Sequence, residues 1–283
     1  MEKLRVLITG VNGYIGRHVA AFLLNEGHEV LGADLRFDDL DSRIIRVEEP
    51  IFSGAEDIFE KMQKPDVCIH LAWRDGFVHS ADSHILDLPN HYTFIKNMLK
   101  GGLKRIAVMG SMHEIGYWEG EIGPDTPTNP KSNYGIAKNA LRNLTRELCE
   151  ANGAEFLWLR GYYILGDDTR NHSIFTRIVG WEAEGKETFP FTTGKNQFDF
   201  IDIDELARYI AICSMQNEVT GVIECATGKP MSLADKVEEF LQVHGYKIRP
   251  EFGAFPDRPY DSPITYGNTE KISKILASYE GRK

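Results

Sequence analysis

Cysteine is scarce. The four in 283 residues (Cys68, Cys149, Cys213, Cys225) lie far apart inside apolar segments, and no Cys-x-x-Cys occurs. That spacing excludes a disulfide framework and a cysteine-held metal; buried, reduced thiols are the expectation, and no metal site is expected. Long apolar runs are missing too, none approaching the ~20 residues that span a bilayer. No charged-then-apolar leader precedes the first apolar run, so a cytoplasmic protein with no membrane association is expected. Positive charge is also in deficit: 32 Lys and Arg face 42 Asp and Glu, a net −10. A nucleic-acid partner normally calls for the opposite balance and is not expected here. A few local arginines can still hold an anionic small molecule. The chain has no internal repeat, low-complexity tract or long linker.

What is present is an alternation. Apolar runs at 4–9, 29–33, 66–71, 105–109 and 156–160 are separated by helical patterns, notably at 14–25, 88–100 and 132–152. Continuous apolar runs between amphipathic helices predict a doubly wound parallel sheet, an α/β fold with helices on both faces. The rhythm breaks after Gly166. A helix at 174–183 and a polar loop lead to a strand–helix unit at 198–215, a short strand at 222–225 and a helix at 233–245. A tail rich in proline and aromatics then ends in a helix at 269–279. The division expected is a dinucleotide-binding domain over 1–166, rejoined by 197–224. A small mixed C-terminal substrate lobe takes 167–196 and 225–283, over the strand ends where open α/β sheets bind ligands.

The first strand runs into Thr9-Gly10-Val-Asn-Gly13-Tyr-Ile-Gly16. Gly10 suits a tight strand-to-helix turn, Gly13 lets backbone approach a pyrophosphate, and Gly16 permits close helix–sheet packing. Asn12, Tyr14 and Ile15 belong to the same turn and are assigned to the cofactor with them. Asp34, eighteen residues past Gly16, ends the second strand, where a carboxylate takes the adenosine ribose hydroxyls. An acid there disfavours a 2′-phosphate and favours NAD; Arg36, two residues on, leaves NADP open.

Tyr134-x-x-x-Lys138 sets a phenol and an ammonium one helical turn apart. The spacing alone proves nothing, because Tyr92/Lys96 and Tyr279/Lys283 share it. Only Tyr134 opens a helix that follows a sheet strand and a serine-containing loop. A free phenol, with a pKa of ~10, is a poor base at neutral pH. A neighbouring ammonium and an oxidised nicotinamide both favour phenolate. Ser111, just past the fourth of these strands, can hydrogen-bond a reacting oxygen. The catalytic set expected is Ser111, Tyr134 and Lys138, the last two also meeting the cofactor.

With these residues in view the chain resembles the extended short-chain dehydrogenase/reductases of the NAD-dependent epimerase/dehydratase group, which mostly act on nucleotide sugars. His70-Leu71-Ala72 resembles the family's His-Leu-Ala strand end beside the cofactor, which implies Leu71 and Ala72 as cofactor neighbours. Ser111 lies five residues before Gly116, as the family's catalytic Ser or Thr precedes its Tyr-Gly pair. Phe198-Asp-Phe-Ile-Asp-Ile-Asp-Glu205, Glu224-Cys-Ala-Thr-Gly228 and Arg258-Pro-Tyr-Asp261 resemble three later family segments. The resemblance implies a Rossmann fold, a nucleotide-sugar substrate, Tyr162 near the nicotinamide, and Arg258 on the diphosphate. It also implies a homodimer built on the helix that carries the Tyr-x-x-x-Lys pair and a neighbouring helix.

Departures from the family narrow the chemistry. Family 4,6-dehydratases carry Asp-Glu directly after the catalytic Thr, and this chain has Met112-His113. Methionine cannot transfer a proton, so dehydration is not expected. His113 either touches substrate or assists proton transfer, or is a plain structural or solvent-facing histidine. Tyr163 replaces the family's sugar-holding Asn, and Phe198 its basic residue. Arg74, after the third cofactor-facing strand, can line the substrate pocket, while neighbouring Trp73 can simply roof the core. Trp181 and Phe189 suit either base stacking or core packing. The leading expectation is a 4-ketoreductase of a 4-keto-6-deoxyhexose nucleotide, which the lean segment 167–196 favours by resemblance. A nucleotide-sugar 4-epimerase that retains NAD is the alternative, and a non-catalytic dinucleotide sensor comes third.

Overall fold

The computed structural model describes residues 3–166, 173–257 and 262–282. Along the chain run β1 (Arg5–Thr9), α1 (Tyr14–Asn25), β2 (Glu29–Ala33), β3 (Ile45–Val47), α2 (Ile58–Lys61), β4 (Val67–His70), α3 (Ser83–Leu86), α4 (Leu88–Gly101) and β5 (Arg105–Ser111). A 3-10 turn, Met112–Glu114, then leads to β6 (Gly120–Ile122), α5 (Asn133–Asn152), β7 (Glu155–Gly161), β8 (Tyr163–Leu165), α6 (Ile174–Ala183), β9 (Thr188–Pro190) and β10 (Gln197–Asp202). The chain closes with α7 (Ile203–Met215), β11 (Gly221–Cys225), β12 (Pro230–Ser232), α8 (Leu233–His244), β13 (Arg249–Glu251), β14 (Ile264–Gly267) and α9 (Glu270–Glu280).

Seven strands form one parallel sheet in the order β11-β7-β5-β4-β1-β2-β3. The order reverses between β1 and β4, which opens a crevice at their carboxyl ends. The strands are buried on both faces, so their sequences are near-continuous apolar runs. Helices α1, α7 and α9 pack one face around Val6, Ile8, Leu23, Leu206 and Ile275. Helices α2, α4 and α5 cover the other around Leu7, Phe94, Met98, Leu141 and Trp158. All four cysteines are buried and free, as expected.

A second, mixed sheet, β12-β10-β14-β6 with β8 beside β10, sits at the carboxyl edge of the first. It is drawn from more of the chain than the C-terminal residues. β6, from the first half, pairs with β14 through Thr265↔Gly120. Within 197–224, β10 pairs with β8, β12 and β14, whereas β11 joins the seven-stranded sheet. Strands of three or four residues carry too little periodicity to stand out in sequence. Phe175, Phe189, Phe191, Phe198 and Phe200 fill the lobe's core. Phe189 is 1% exposed and stacks on Trp181 at 5.5 Å, so packing is the role the structure gives this pair.

Candidate active site

The turn after β1 makes the first half of the site. Gly10 takes φ +71°, and a Cβ there would lie 2.8 Å from the Ala72 nitrogen at the end of β4. A Cβ at Gly16 would come within 2.2 Å of the Gly10 carbonyl, so the turn and the first coil of α1 close on each other only as glycines. Serine or aspartate side chains cap α5, α6, α7 and α8, but α1 starts at Gly13 with no side-chain cap and no acid in its first turn. Its positive end is therefore open to an anion.

A cavity of about 660 Å³ opens beside this turn, lined by Gly10, Asn12, Gly13, Tyr14, Asp34, Leu71 and Ala72. The Asp34 carboxylate accepts from the Asn12 and Leu35 amides at 2.8 and 2.7 Å, which fixes it while leaving lone pairs for two further hydroxyls. Arg17 clamps Asn12 and the Asp38 carbonyl. Arg36, Asp38 and Glu49 also reach the cavity. An uncapped helix end for a diphosphate and a fixed carboxylate for a ribose fit a dinucleotide. Ile15 packs into the core beside α1 instead of lining the cavity, and Gly16 is buried behind it.

The second half lies at the ends of β4 and β5 and the start of α5. Ser132 caps α5 by accepting from the Gly135 amide at 3.1 Å, which places Tyr134 and Lys138 on its first turns. Lys138 Nζ donates to the Met109 carbonyl at 2.8 Å and sits 3.8 Å above the Trp73 ring. Burial pushes this ammonium down to about 7, against the pull of Glu114. Desolvation by the surrounding rings pushes the Tyr134 phenol up to about 12, and the Ser111 hydroxyl pulls the other way. The phenol is thus raised where the Tyr–Lys spacing suggested lowering. Lys138 faces Trp73 and a carbonyl, with Nζ 5.8 Å from the Tyr134 ring centre, and desolvation dominates.

Several histidines surround this pair. His79 stacks on Tyr134 at 5.0 Å, and its carbonyl accepts from the Tyr134 amide at 3.0 Å. His84 accepts from Trp73 Nε1 at 3.0 Å. Thr9, His70 and His91 form a buried hydrogen-bonded row, with His70 pushed to about 3 by burial. His113 is half-buried, its amide bonded to Ser111 Oγ at 3.3 Å and its ring 4.3 Å from His79. Neither His79 nor the bracing by Trp73 was legible beforehand, because both depend on loops folding back from β4.

Beneath lies a polar cluster that sequence reasoning missed. Glu114 is fully buried and accepts from Trp158 Nε1 at 2.9 Å and Arg160 Nε at 2.5 Å. Arg160 also donates to Glu224 at 2.5 Å. The Tyr162 hydroxyl donates to Glu224 at 2.8 Å, so its polar tip points into this network. Arg142 approaches Glu114 at 4.0 Å. Burial pushes Glu224 up to about 7. A signal was available: Arg160 and Glu224 stand in runs read as buried strands, where a charge needs a partner.

The proposed substrate residues are spread around the rim. Arg74 lines the cavity and forks onto Asp87. Tyr163 packs on Phe198 at 4.2 Å and lies 6.5 Å from His113. Arg258 lies outside the described residues. No cluster of ligands suited to a metal occurs among the described residues, and no helix there is long and apolar enough to cross a membrane.

The model of the NAD dependent epimerase/dehydratase family matches residues 6–225. The chain is 41% identical to a dTDP-6-deoxy-L-talose 4-dehydrogenase (NAD(+)) of Aggregatibacter actinomycetemcomitans, over 93% of this chain and 99% of that one. A UDP-glucuronate 4-epimerase of Thermodesulfobacterium geofontis is 27% identical over 95% of this chain and 89% of its own. Among solved structures, UDP-glucose 4-epimerase of Thermotoga maritima, crystallised with UDP-glucose, superposes with a TM-score of 0.82 at 19% identity. That match covers 99% of this chain and 100% of the other.

Proposed function

The chain belongs to the NAD dependent epimerase/dehydratase family, and from that premise we propose that it is a nucleotide-sugar 4-oxidoreductase, acting as a 4-ketoreductase on a 4-keto-6-deoxyhexose nucleotide. The observation that carries the reading is the grouping of Ser111, Tyr134 and Lys138 at the ends of β4 and β5 and the start of α5, next to the uncapped start of α1 and its cavity. Tyr134 holds its proton at neutral pH, as a phenol does, and can give it to a carbonyl oxygen. The relative at 41% identity, a 4-dehydrogenase of a dTDP-6-deoxy sugar, supports the same reaction seen from its other direction. The only carboxylate of the turn after Ser111 is Glu114, buried on Arg160, which supports reduction over elimination of water.

Reduced nicotinamide, when bound, supplies the hydride that reaches C4. In this reading Ser111 polarises the C4 carbonyl, Tyr134 passes its proton to that oxygen, and Lys138 holds the nicotinamide ribose. Tyr134 recovers its proton from solvent. Gly10, Asn12, Gly13 and the first turn of α1 hold the diphosphate, and Asp34 the adenosine ribose. Arg74, His113, Tyr163 and Arg258 face the sugar nucleotide. The working unit in this reading is a cytoplasmic homodimer, supported by exposed Ile136 and Leu144 on α5 and measurable by sedimentation.

The test mixes the protein with NADH or NADPH and enzymatically prepared 4-keto-6-deoxy sugar nucleotides. The expected result is stoichiometric loss of reduced cofactor, falling ~1,000-fold in Tyr134→Phe. C4 epimers interconverting on tightly retained NAD, with no net oxidation, would instead establish the epimerase. Biological activity unchanged in Tyr134→Phe would establish the sensor.

A further inference from the structure

Trp73 follows β4 closely and stands where the two halves of the site meet. Its indole lines the cavity beside the turn after β1, and Lys138 Nζ lies 3.8 Å from the ring centre. It also meets the Tyr134 ring edge-on at 6.1 Å. Two histidines fix it. Its Nε1 donates to His84 Nδ1 at 3.0 Å, which leaves the proton of that ring on Nε2, bonded to the Val78 carbonyl at 3.0 Å. Val78 precedes His79, the residue stacked on Tyr134. From α4, His91 stacks on the indole at 4.6 Å with the planes 17° apart. His91 is tied through His70 to Thr9, one residue before Gly10, by contacts of 2.8 and 2.7 Å. One side chain thus connects the glycine turn, the loop that holds Tyr134, and Lys138.

We infer that Trp73 is a positioning residue for Lys138: its indole face is the seat that holds Nζ beside the cavity, where the nicotinamide ribose binds. This rests on the reading of Lys138 given above. An ammonium has three donors, and the Met109 carbonyl takes one at 2.8 Å. A carboxylate in place of the indole would compete with the ribose for the others. A ring face attracts the charge without a fixed acceptor atom, so it sets where Nζ lies and lets the remaining protons turn toward hydroxyls. Leucine would fill the space without that attraction. Phenylalanine would keep a ring face but lose the N–H that locks it to His84.

The experiment titrates NADH and ADP calorimetrically into the unaltered protein, Trp73→Leu and Trp73→Phe. ADP carries the diphosphate and adenosine but no nicotinamide end, so it reports on the rest of the pocket. In Trp73→Leu, NADH is expected to bind ~tenfold more weakly, with ADP unchanged. In Trp73→Phe the loss shrinks to ~threefold. Equal weakening of NADH and ADP, or no weakening of either, would overturn the inference and leave Trp73 a roof over the core. A phenylalanine variant as weak as the leucine one would overturn it too, since the ring face would then hold nothing. If Trp73→Leu fails to fold, Trp73→Phe decides alone: NADH weakened with ADP unchanged supports the inference, and any other pattern overturns it. Failure of the unaltered protein to bind NADH defeats the functional reading and this inference with it, whereas NADH binding that neither substitution alters defeats the inference alone.

Discussion

Two polar clusters stand at the carboxyl edge of one sheet and solve the same problem in opposite ways. At the ends of β1 and β2, the uncapped start of α1 and the Asp34 carboxylate border an open cavity. At the ends of β5, β7 and β11, Glu114, Arg160 and Glu224 are at most 1% exposed and closed on one another. Polar groups left facing a cavity mark where a ligand completes the structure. Polar groups sealed from water must complete one another, and their charges act on the site above only as a field. The Tyr134–Lys138 pair lies beside the sealed cluster, whose Glu114 pulls on Lys138.

The sharpest way to break the contrast is to take the cation from the sealed cluster. Arg160→Met leaves two carboxylates buried and is expected to cost ~4 kcal/mol of stability, measured by denaturant unfolding. The loss should be greater at pH 8 than at pH 5, because Glu224 already prefers its proton up to about 7. A loss as small as that of an exposed ion pair would mean the cluster is not held by charge.

Lys138→Met should act in the reverse direction. Burial depresses Lys138 from its ordinary 10.5 to about 7. Stability from such a group is present above the ordinary value and falls away as pH drops through the depressed one. The methionine variant is therefore expected to be more stable, by ~2 kcal/mol near pH 7 and by almost nothing near pH 10, while NADH binding is lost. A variant less stable at neutral pH would show that the Trp73 and Met109 contacts outweigh desolvation.

The smallest change belongs to the open cluster. Asp34→Asn should leave stability alone and move the preference between NADH and NADPH about tenfold toward NADPH, since a repelling charge is removed. Binding titrations read the ratio directly; an unchanged ratio would assign discrimination to Asp38 and Glu49 instead.

The first sheet was legible because buried parallel strands and amphipathic helices write their period into every segment. Helices α1 and α6 match their expected limits to the residue. Gly10, Gly13 and Asp34 were legible because a turn against backbone tolerates few residue types. The second sheet was not, since β6 and β14 meet across more than a hundred residues and neither is long enough to show a period. Tyr134 stood out in the sequence, with its acidity read from Lys138 and an oxidised nicotinamide. In the fold His79, Trp73, Ser111 and Glu114 arrive from other segments and desolvation prevails.

The sequence by itself determined the doubly wound sheet and the glycine turn after β1, and singled out Ser111, Tyr134 and Lys138 as candidates, because periodicity and turn geometry are local properties of the chain. Only the tertiary structure decided the charge states on which the chemistry depends. Desolvation and Coulomb forces depend on what surrounds a group in space, and Glu114, Arg160 and Glu224 become neighbours of one another only when β5, β7 and β11 lie side by side.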